Sequence, residues 1–181
     1  MNKFFRLIRF DWPLHFVLFF TNWLPDNVVF LRLRGWLAHW FFGKCGSDLR
    51  IGRNVTFYNS SSIYLGSNIY FAYGCILQAI GKITIDNEVM IGPYGVISSG
   101  RHSRSNASYR YGSITMSDIF IGSGTWIGAR VSVLGDTIIG NGCLLASHTC
   151  VTKGSFLDNS LIAGIPAKVI KNLEVEYDTN N

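Results

Sequence analysis

An all-β solenoid, wound from coils with three six-residue sides, is the fold class the sequence predicts, and three observations carry that prediction. From Ile121 onward aliphatic residues fall six apart, at Ile121, Ile127, Val133, Ile139, Leu145 and Val151, followed in turn by Gly122, Gly128, Leu134, Gly140, Ala146 and Thr152. Four residues after each aliphatic stands a small or β-branched residue: Thr125, Val131, Thr137, Cys143, Thr149 and Ser155. Finally, 19 glycines against 4 prolines favour sharp turns over long helices or linkers.

An α-helix does not account for this spacing, because six residues rotate an α-helical position by about 240° and scatter the aliphatics around the axis. A coil of short strands does, with one aliphatic and one small residue pointing inward per side. Its backbone groups bond to the coils above and below. The same frame runs upstream through Ile51 and Phe57, then Leu65, Phe71 and Leu77, then Ile85, Ile91 and Ile97, with two extra residues at each of the two breaks. These 14 sides predict between four and five coils. The terminal coils of such a prism expose strand edges, so an apolar front segment and the tail from Phe156 are expected to cover them.

The front segment differs from the rest in composition. Among residues 1–50, seven Lys/Arg stand against Asp11, Asp26 and Asp48, a balance of +4 out of the chain's +5. The same stretch holds nine Phe and four Trp, half of all aromatics. Its longest uncharged run, Trp12 to Pro25, falls short of the about 20 apolar residues that cross a bilayer, and no small-residue cleavage site follows it. The expected location is therefore the cytoplasm. A helix is expected from Asn27 to Phe42, with Asp26 as N-cap and Gly43 as its stop. Two readings of the aromatics stand: they cover the end of the prism or a subunit interface, or they dock the protein peripherally on the inner face of the membrane. With 48% hydrophobic and only 15% charged residues, 181 residues make one domain with an appendage, and an oligomer is expected. The basic excess sits in this arm, so nucleic acid is not an expected partner. Cys45, Cys75, Cys143 and Cys150 have no Cys-x-x-Cys spacing and read as reduced fillers.

Three segments sharpen the reading: Gly124-Thr125-Trp126-Ile127-Gly128-Ala129, Cys150-Val151-Thr152-Lys153, and Ala163-Gly164-Ile165-Pro166-Ala167-Lys168-Val169-Ile170. In order and spacing they resemble the hexapeptide-repeat acyltransferases, in particular those that O-acetylate sugars and polysaccharides. The resemblance implies a left-handed parallel β-helix over residues 49–171, behind an N-terminal helical arm at 1–48 and before a short C-terminal tail at 172–181. It also implies a homotrimer, with acetyl-CoA as co-substrate, no metal, and sites between neighbouring prisms.

Acyl transfer from a thioester to a hydroxyl needs a base for the hydroxyl proton and a donor for the developing oxyanion. Histidine suits the first task. His102 is the candidate base, because the six-residue frame stops after Ile97 and resumes only at Ile121, leaving a projecting loop at about 103–120 directly after it. His148 stands where relatives carry a glycine at a coil corner and reads as structural; His15 and His39 read as packing residues. The resemblance assigns the oxyanion donor to the backbone N–H of Ala129. It places Trp126, Gly128, Ala129, Ser147, Thr152, Lys153 and Lys168 on CoA. Tyr73 falls where galactoside-type members carry an acceptor-binding asparagine. Arg101, Tyr109, Arg110 and Tyr111 complete the candidate acceptor residues, for a sugar or polysaccharide-precursor acceptor. The expected activity is O-acetylation of a sugar hydroxyl in capsule, exopolysaccharide or O-antigen biosynthesis. The alternatives are N-acetylation of a nucleotide-linked amino sugar and a non-enzymatic trimeric scaffold. A zinc enzyme on this scaffold needs three converging histidines, and the prism segment holds two.

Overall fold

The computed structural model describes residues 2–173; all but the first two positions of the 172–181 tail lie outside the described residues. Three helical segments open the chain: α1 (Lys3–Arg6), which passes through a π-helical turn at Leu7–Asp11 into α2 (Trp12–Thr21), and α3 (Val28–Ala38), which ends in a 3-10 turn at His39–Phe41. The prism begins earlier than the frame suggests, inside the 1–48 arm. Its first coil is β1 (Lys44–Cys45), β2 (Arg50–Ile51) and β3 (Thr56–Tyr58). The second is β4 (Ile63–Leu65), β5 (Tyr70–Phe71) and β6 (Ile76–Gln78), and the third β7 (Ile83–Ile85), β8 (Met90–Ile91) and β9 (Val96–Ser98). A hairpin of β10 (Gly100–His102) and β11 (Ile114–Met116) then projects. The fourth coil is β12 (Ile119–Ile121), β13 (Trp126–Ile127) and β14 (Ser132–Leu134), and the fifth β15 (Thr137–Ile139), β16 (Leu144–Leu145) and β17 (Cys150–Val151). A sixth, partial coil is β18 (Gly154–Phe156) and β19 (Ser160–Ala163), closed by β20 (Lys168–Asn172), which turns back antiparallel on β19.

The stacked sides form three parallel sheets: A (β1-β4-β7-β12-β15-β18), B (β2-β5-β8-β13-β16-β19, with β20 at its edge) and C (β3-β6-β9-β14-β17). This is the left-handed parallel β-helix with a helical N-terminal region, and it has about six turns where the frame predicted four to five. The difference lies at the ends. The side carrying Cys45 was counted with the arm, and the last coil breaks the frame, since Phe156 follows Val151 by five positions rather than six. Ser155 consequently points outward while Phe156 takes the inward position opposite Ile139.

Inside, like stacks on like. In sheet B the buried column runs Ile51, Phe71, Ile91, Ile127, Leu145, Ile162 in direct register. The four-residue offset positions Thr125, Val131, Thr137, Cys143 and Thr149 are also buried. Removing a chain of such side chains from water, at about 25 cal/mol per Å², is what holds coils together whose strands are too short to stand alone.

All length variation falls at one corner. The sheet A to B and B to C passages keep their spacing, whereas the C to A passage carries the 3-10 turn Ser60–Ser62, the Ile80-Gly81 step and the projecting hairpin. Insertions at that edge leave the stacked ladders untouched.

The arm is fastened to the first coil by its acids. Arg34 on α3 is 1% exposed and donates to Asp26 (2.8 Å) and to the carbonyls of Ile51 (3.0 Å) and Thr21 (3.3 Å), joining the α2–α3 turn to β2. Asp26 is thus not the cap of α3. Its carboxylate also accepts from the Arg53 backbone N–H at 3.1 Å, and Asn27 caps instead, accepting from the Phe30 N–H. The helix stops at Ala38, short of Phe42, because the chain must tighten before entering β1. Asp11 accepts from the Ser60 N–H at 3.0 Å. A Cβ on Gly35 would lie 1.7 Å from the Leu49 carbonyl oxygen, so only glycine lets α3 approach the coil this closely.

Candidate active site

The A–B and B–C corners of the prism are built alike and finished differently. In each, one residue per coil takes positive φ: Asp48, Asn68, Glu88, Gly124, Gly142 and Asn159 at the A–B corner; Asn54, Gly74, Tyr94, Arg130 and His148 at the B–C corner. In each, that residue's N–H bonds to a carbonyl one coil earlier, as in Gly142 to Ser123 (2.8 Å) and His148 to Ala129 (2.9 Å).

The residue just before the positive-φ position decides the rest. At the A–B corner it is Ser47, Ser67, Asn87, Ser123, Asn141 or Asp158, and a short polar side chain receives the N–H one coil away: Ser47 N–H to Ser67 Oγ (3.1 Å), Ser67 to Asn87 Oδ1 (2.9 Å), Ser123 to Asn141 Oδ1 (2.9 Å), Asn141 to Asp158 Oδ1 (2.8 Å). The Asn141 backbone N–H, and then its side-chain amide, hold the Asp158 carboxyl below the ordinary carboxylate value. The Asn87 N–H is received by Asp86 of its own coil at 2.8 Å, so this corner closes its donors on every coil but the last, where the Asp158 N–H has no partner among the described residues.

At the B–C corner the corresponding residues are Arg53, Tyr73, Pro93, Ala129 and Ser147. Among the described residues the backbone N–H groups of Tyr73, Ala129 and Ser147 have no hydrogen-bond partner. Ala129 and Ser147 sit on successive coils, so their donors repeat at about the 4.8 Å inter-strand spacing along the edge. Gly128 makes this stacking feasible, since a Cβ there would lie 2.8 Å from the Ser147 nitrogen. Toward the arm the same edge carries a ladder of rings and guanidiniums. Arg53 lies over Tyr73, Tyr73 meets Tyr94 edge-on at 5.5 Å between centroids, and Arg130 lies 5.7 Å from the Tyr94 ring. The Tyr73 hydroxyl accepts from Asn54 Nδ2. Tyr94, Arg130 and His148 are bulky for positive φ, a conformation that costs such residues about 1–3 kcal/mol and gathers at functional sites. Of these, Tyr94 and Arg130 were not singled out from the sequence. Their signal is a large side chain in the column where neighbouring coils have Asn or Gly.

His102 is on the other edge. The hairpin leaves sheet C at its C–A corner, and β10 pairs His102 with Ile114 and leaves the imidazole exposed. Arg101 bonds to Asp136 across the base of the hairpin, and the Ser103 and Ser113 hydroxyls meet at 2.9 Å near its neck. Tyr109, Arg110 and Tyr111 stand exposed at the tip. Thr152 and Lys153 occupy the same C–A edge two coils farther along. Trp126 lies on the outer face of sheet B, half exposed, in register between Met90 and Leu144, and Lys168 opens β20.

Apart from Trp126 and Lys168 on sheet B, the assigned residues fall into two groups on opposite edges of sheet C: Tyr73, Gly128, Ala129 and Ser147 on one, Arg101, His102, Tyr109, Arg110, Tyr111, Thr152 and Lys153 on the other. The five residue steps from Tyr94 to Ser99 put about 17 Å of extended chain between the edges. Within one prism the His102 imidazole and the Ala129 N–H therefore belong to opposite edges of sheet C.

The four cysteines are free thiols; burial pushes Cys45 and Cys75 up to about 11 and raises Cys143, which keeps these three protonated and poorly nucleophilic. Among the described residues no cluster of three or more His, Cys, Asp or Glu could hold a metal ion.

Residues 118–153, which cover the fourth and fifth coils, match the family profile described as bacterial transferase hexapeptide (six repeats). A putative lipopolysaccharide biosynthesis O-acetyl transferase of Escherichia coli is 31% identical over 143 residues, covering 72% of this chain and 69% of that protein. A probable acetyltransferase of Mycobacterium tuberculosis is 30% identical over 140 residues, and the chain spans about half of that longer protein (46%). In fold, a maltose O-acetyltransferase from Clostridium difficile superposes with a TM-score of 0.78 at 24% identity, over 96% of this chain and 90% of that one. Stacked hexads, a hairpin at one corner and this extent of shared sequence place the chain in the hexapeptide-repeat acetyltransferase family.

Proposed function

We propose that the chain is an acetyl-CoA-dependent O-acetyltransferase, active as a homotrimer in the cytoplasm on a sugar hydroxyl in bacterial surface or exported polysaccharide biosynthesis. The observation that carries this reading is the open B–C corner: a column of unpartnered backbone donors at Ala129 and Ser147, beside a strained aromatic and guanidinium ladder, on a fold whose opposite edge projects a histidine. The likeness to a putative O-acetyl transferase of lipopolysaccharide biosynthesis supports the acceptor class.

In this reading acetyl-CoA runs along the groove between two prisms. The Ala129 N–H holds the thioester carbonyl, the Ser147 N–H takes an amide carbonyl of the pantetheine arm, and Trp126 lines the channel. Thr152, Lys153 and Lys168 face the nucleotide end, where the lysines act as point charges on phosphate. The acceptor sugar packs on Tyr73 and is held by Arg101, Tyr109, Arg110 and Tyr111 from the hairpin. His102 of one protomer removes the acceptor hydroxyl proton as that oxygen attacks the carbonyl carbon held by its neighbour. The oxyanion takes the Ala129 N–H, and collapse expels the CoA thiolate, which regains a proton from the imidazolium. No covalent enzyme intermediate is involved.

Incubation with acetyl-CoA and a panel of hydroxyl and amino sugars tests this. The expected product is an alkali-labile ester, lost about 10²–10⁴-fold in His102→Ala with the melting temperature retained. An alkali-stable amide, or turnover unchanged in His102→Ala, contradicts it.

A further inference from the structure

Helix α2 carries no charged residue, yet it packs on the body along one side only. Leu14 is in the core and Leu18 packs against it, while Trp12, Phe16, Phe20 and Trp23 face away from it, each at least half exposed. Trp36 on α3 and Trp40 in the turn after it are exposed as well, at 67% and 64%. A helix on a water-soluble body ordinarily turns polar residues outward; one that is apolar all round requires a cover.

The charges around this surface identify the cover. Every carboxylate of the first 50 residues is turned to a guanidinium: Asp11 to Arg6, Asp26 to Arg34 and Arg53, Asp48 to Arg32 and Arg50. Lys3, Arg9 and Lys44 have no such partner among the described residues and stand exposed. The outer side of the arm therefore shows Trp and Phe with cations and no free anion. A second copy of the arm laid against it would bring like charges together, whereas an anionic bilayer surface complements both components: rings enter at the headgroup boundary and cations meet lipid phosphates. No helix among the described residues is long and apolar enough to span the membrane, so the contact is in the plane of the interface.

We propose that the outer face of the helical arm is a docking surface for an anionic lipid bilayer, which holds the prism on the membrane by its first-coil end. This inference does not depend on the acetyl-transfer reading. Co-sedimentation of the full chain with vesicles of phosphatidylcholine, and with the same vesicles containing phosphatidylglycerol, tests it directly. Binding is expected to the mixed vesicles and to weaken at high salt. Phe16→Ser/Phe20→Ser/Trp23→Ser is expected to lower it about ten-fold or more, and so is Lys3→Glu/Arg9→Glu, since each cation near such a surface is worth about five-fold. Both variants should keep the parent's circular dichroism and oligomeric mass. Failure of the parent chain to sediment with mixed vesicles, retention of binding by both variants, or dissociation of the oligomer by the aromatic variant overturns the proposal, the last by showing that the face is a subunit contact.

Discussion

The A–B and B–C corners share a positive-φ backbone and a hydrogen-bond register, and they differ in two columns of side chains, the positive-φ residues and those just before them. At the A–B corner serine, asparagine and aspartate side chains close the N–H groups of Ser47, Ser67, Asn87, Ser123 and Asn141 from within the chain; at the B–C corner those of Tyr73, Ala129 and Ser147 have no partner among the described residues. One repeat thus closes its donors on one edge and leaves them open on another, and the open edge is where the proposed site takes acetyl-CoA. If the open edge binds the co-substrate as proposed, substitutions at the two corners should have separable effects on stability and turnover.

The largest effect is expected from removing the open donor itself. Ala129→Pro deletes one N–H at a corner position where the preceding coil already accommodates Pro93, so the coil should persist while turnover falls about 10²–10³-fold. Unchanged kcat with acetyl-CoA would remove Ala129 from the reaction. Next comes the fastening of the arm, which meets the corner columns only on the first coil, where Asp26 accepts from the Arg53 N–H. Arg34→Ala strips a buried guanidinium from Asp26 and from the Ile51 and Thr21 carbonyls, and should cost about 3–5 kcal/mol in denaturant unfolding. A loss below about 1 kcal/mol would mean the arm is held by apolar packing alone. At the closed corner, Asn141→Ala removes the acceptor of the Ser123 N–H and should lower stability by about 1 kcal/mol with turnover unaltered; loss of turnover there would erase the distinction between the edges.

The smallest effect concerns pH. Hydrogen bonds from Arg50, and then Arg32, hold the Asp48 carboxyl below its ordinary value. Its folded value lies under its unfolded one, so this pair stabilises the protein above about pH 4 and the contribution is lost as pH falls through the folded value. Asp48→Asn should flatten that part of the acid limb of the stability curve, by less than about 1 kcal/mol because the pair is solvent-screened. An unchanged limb would show that the pair contributes nothing.

Much of this molecule is written in the spacing of its aliphatics. Ile121, Ile127 and Val133 occupy sheets A, B and C in turn because inward side chains of successive coils must stack, and that demand repeats in sequence with the same period. The hairpin was legible for the same reason, as a failure of the period after Ile97. What the period does not carry is anything that depends on which corner a residue occupies. Ser155 breaks rank because the last C–A corner is one residue short, and Tyr94 and Arg130 reveal themselves only once their column is seen to be the positive-φ one. Arg34 was invisible because its partners, Asp26 and the Ile51 carbonyl, lie on either side of a helix whose cap was expected to be Asp26 itself. Alanine at position 129 has only a methyl group and nothing polar to announce a role; its N–H is conspicuous only against the occupied donors of the other edge.

The central claim is that one reaction centre takes His102 from one protomer and the Ala129 N–H from its neighbour. Co-refolding His102→Ala with Ala129→Pro in equal amounts tests it most directly, because each variant brings one intact edge. If the site spans two protomers, about one site in four pairs an intact imidazole with an intact donor, and turnover should return to about a quarter of that of the parent protein. If both groups act within a single chain, every protomer carries one lesion and the mixture stays as inactive as its components.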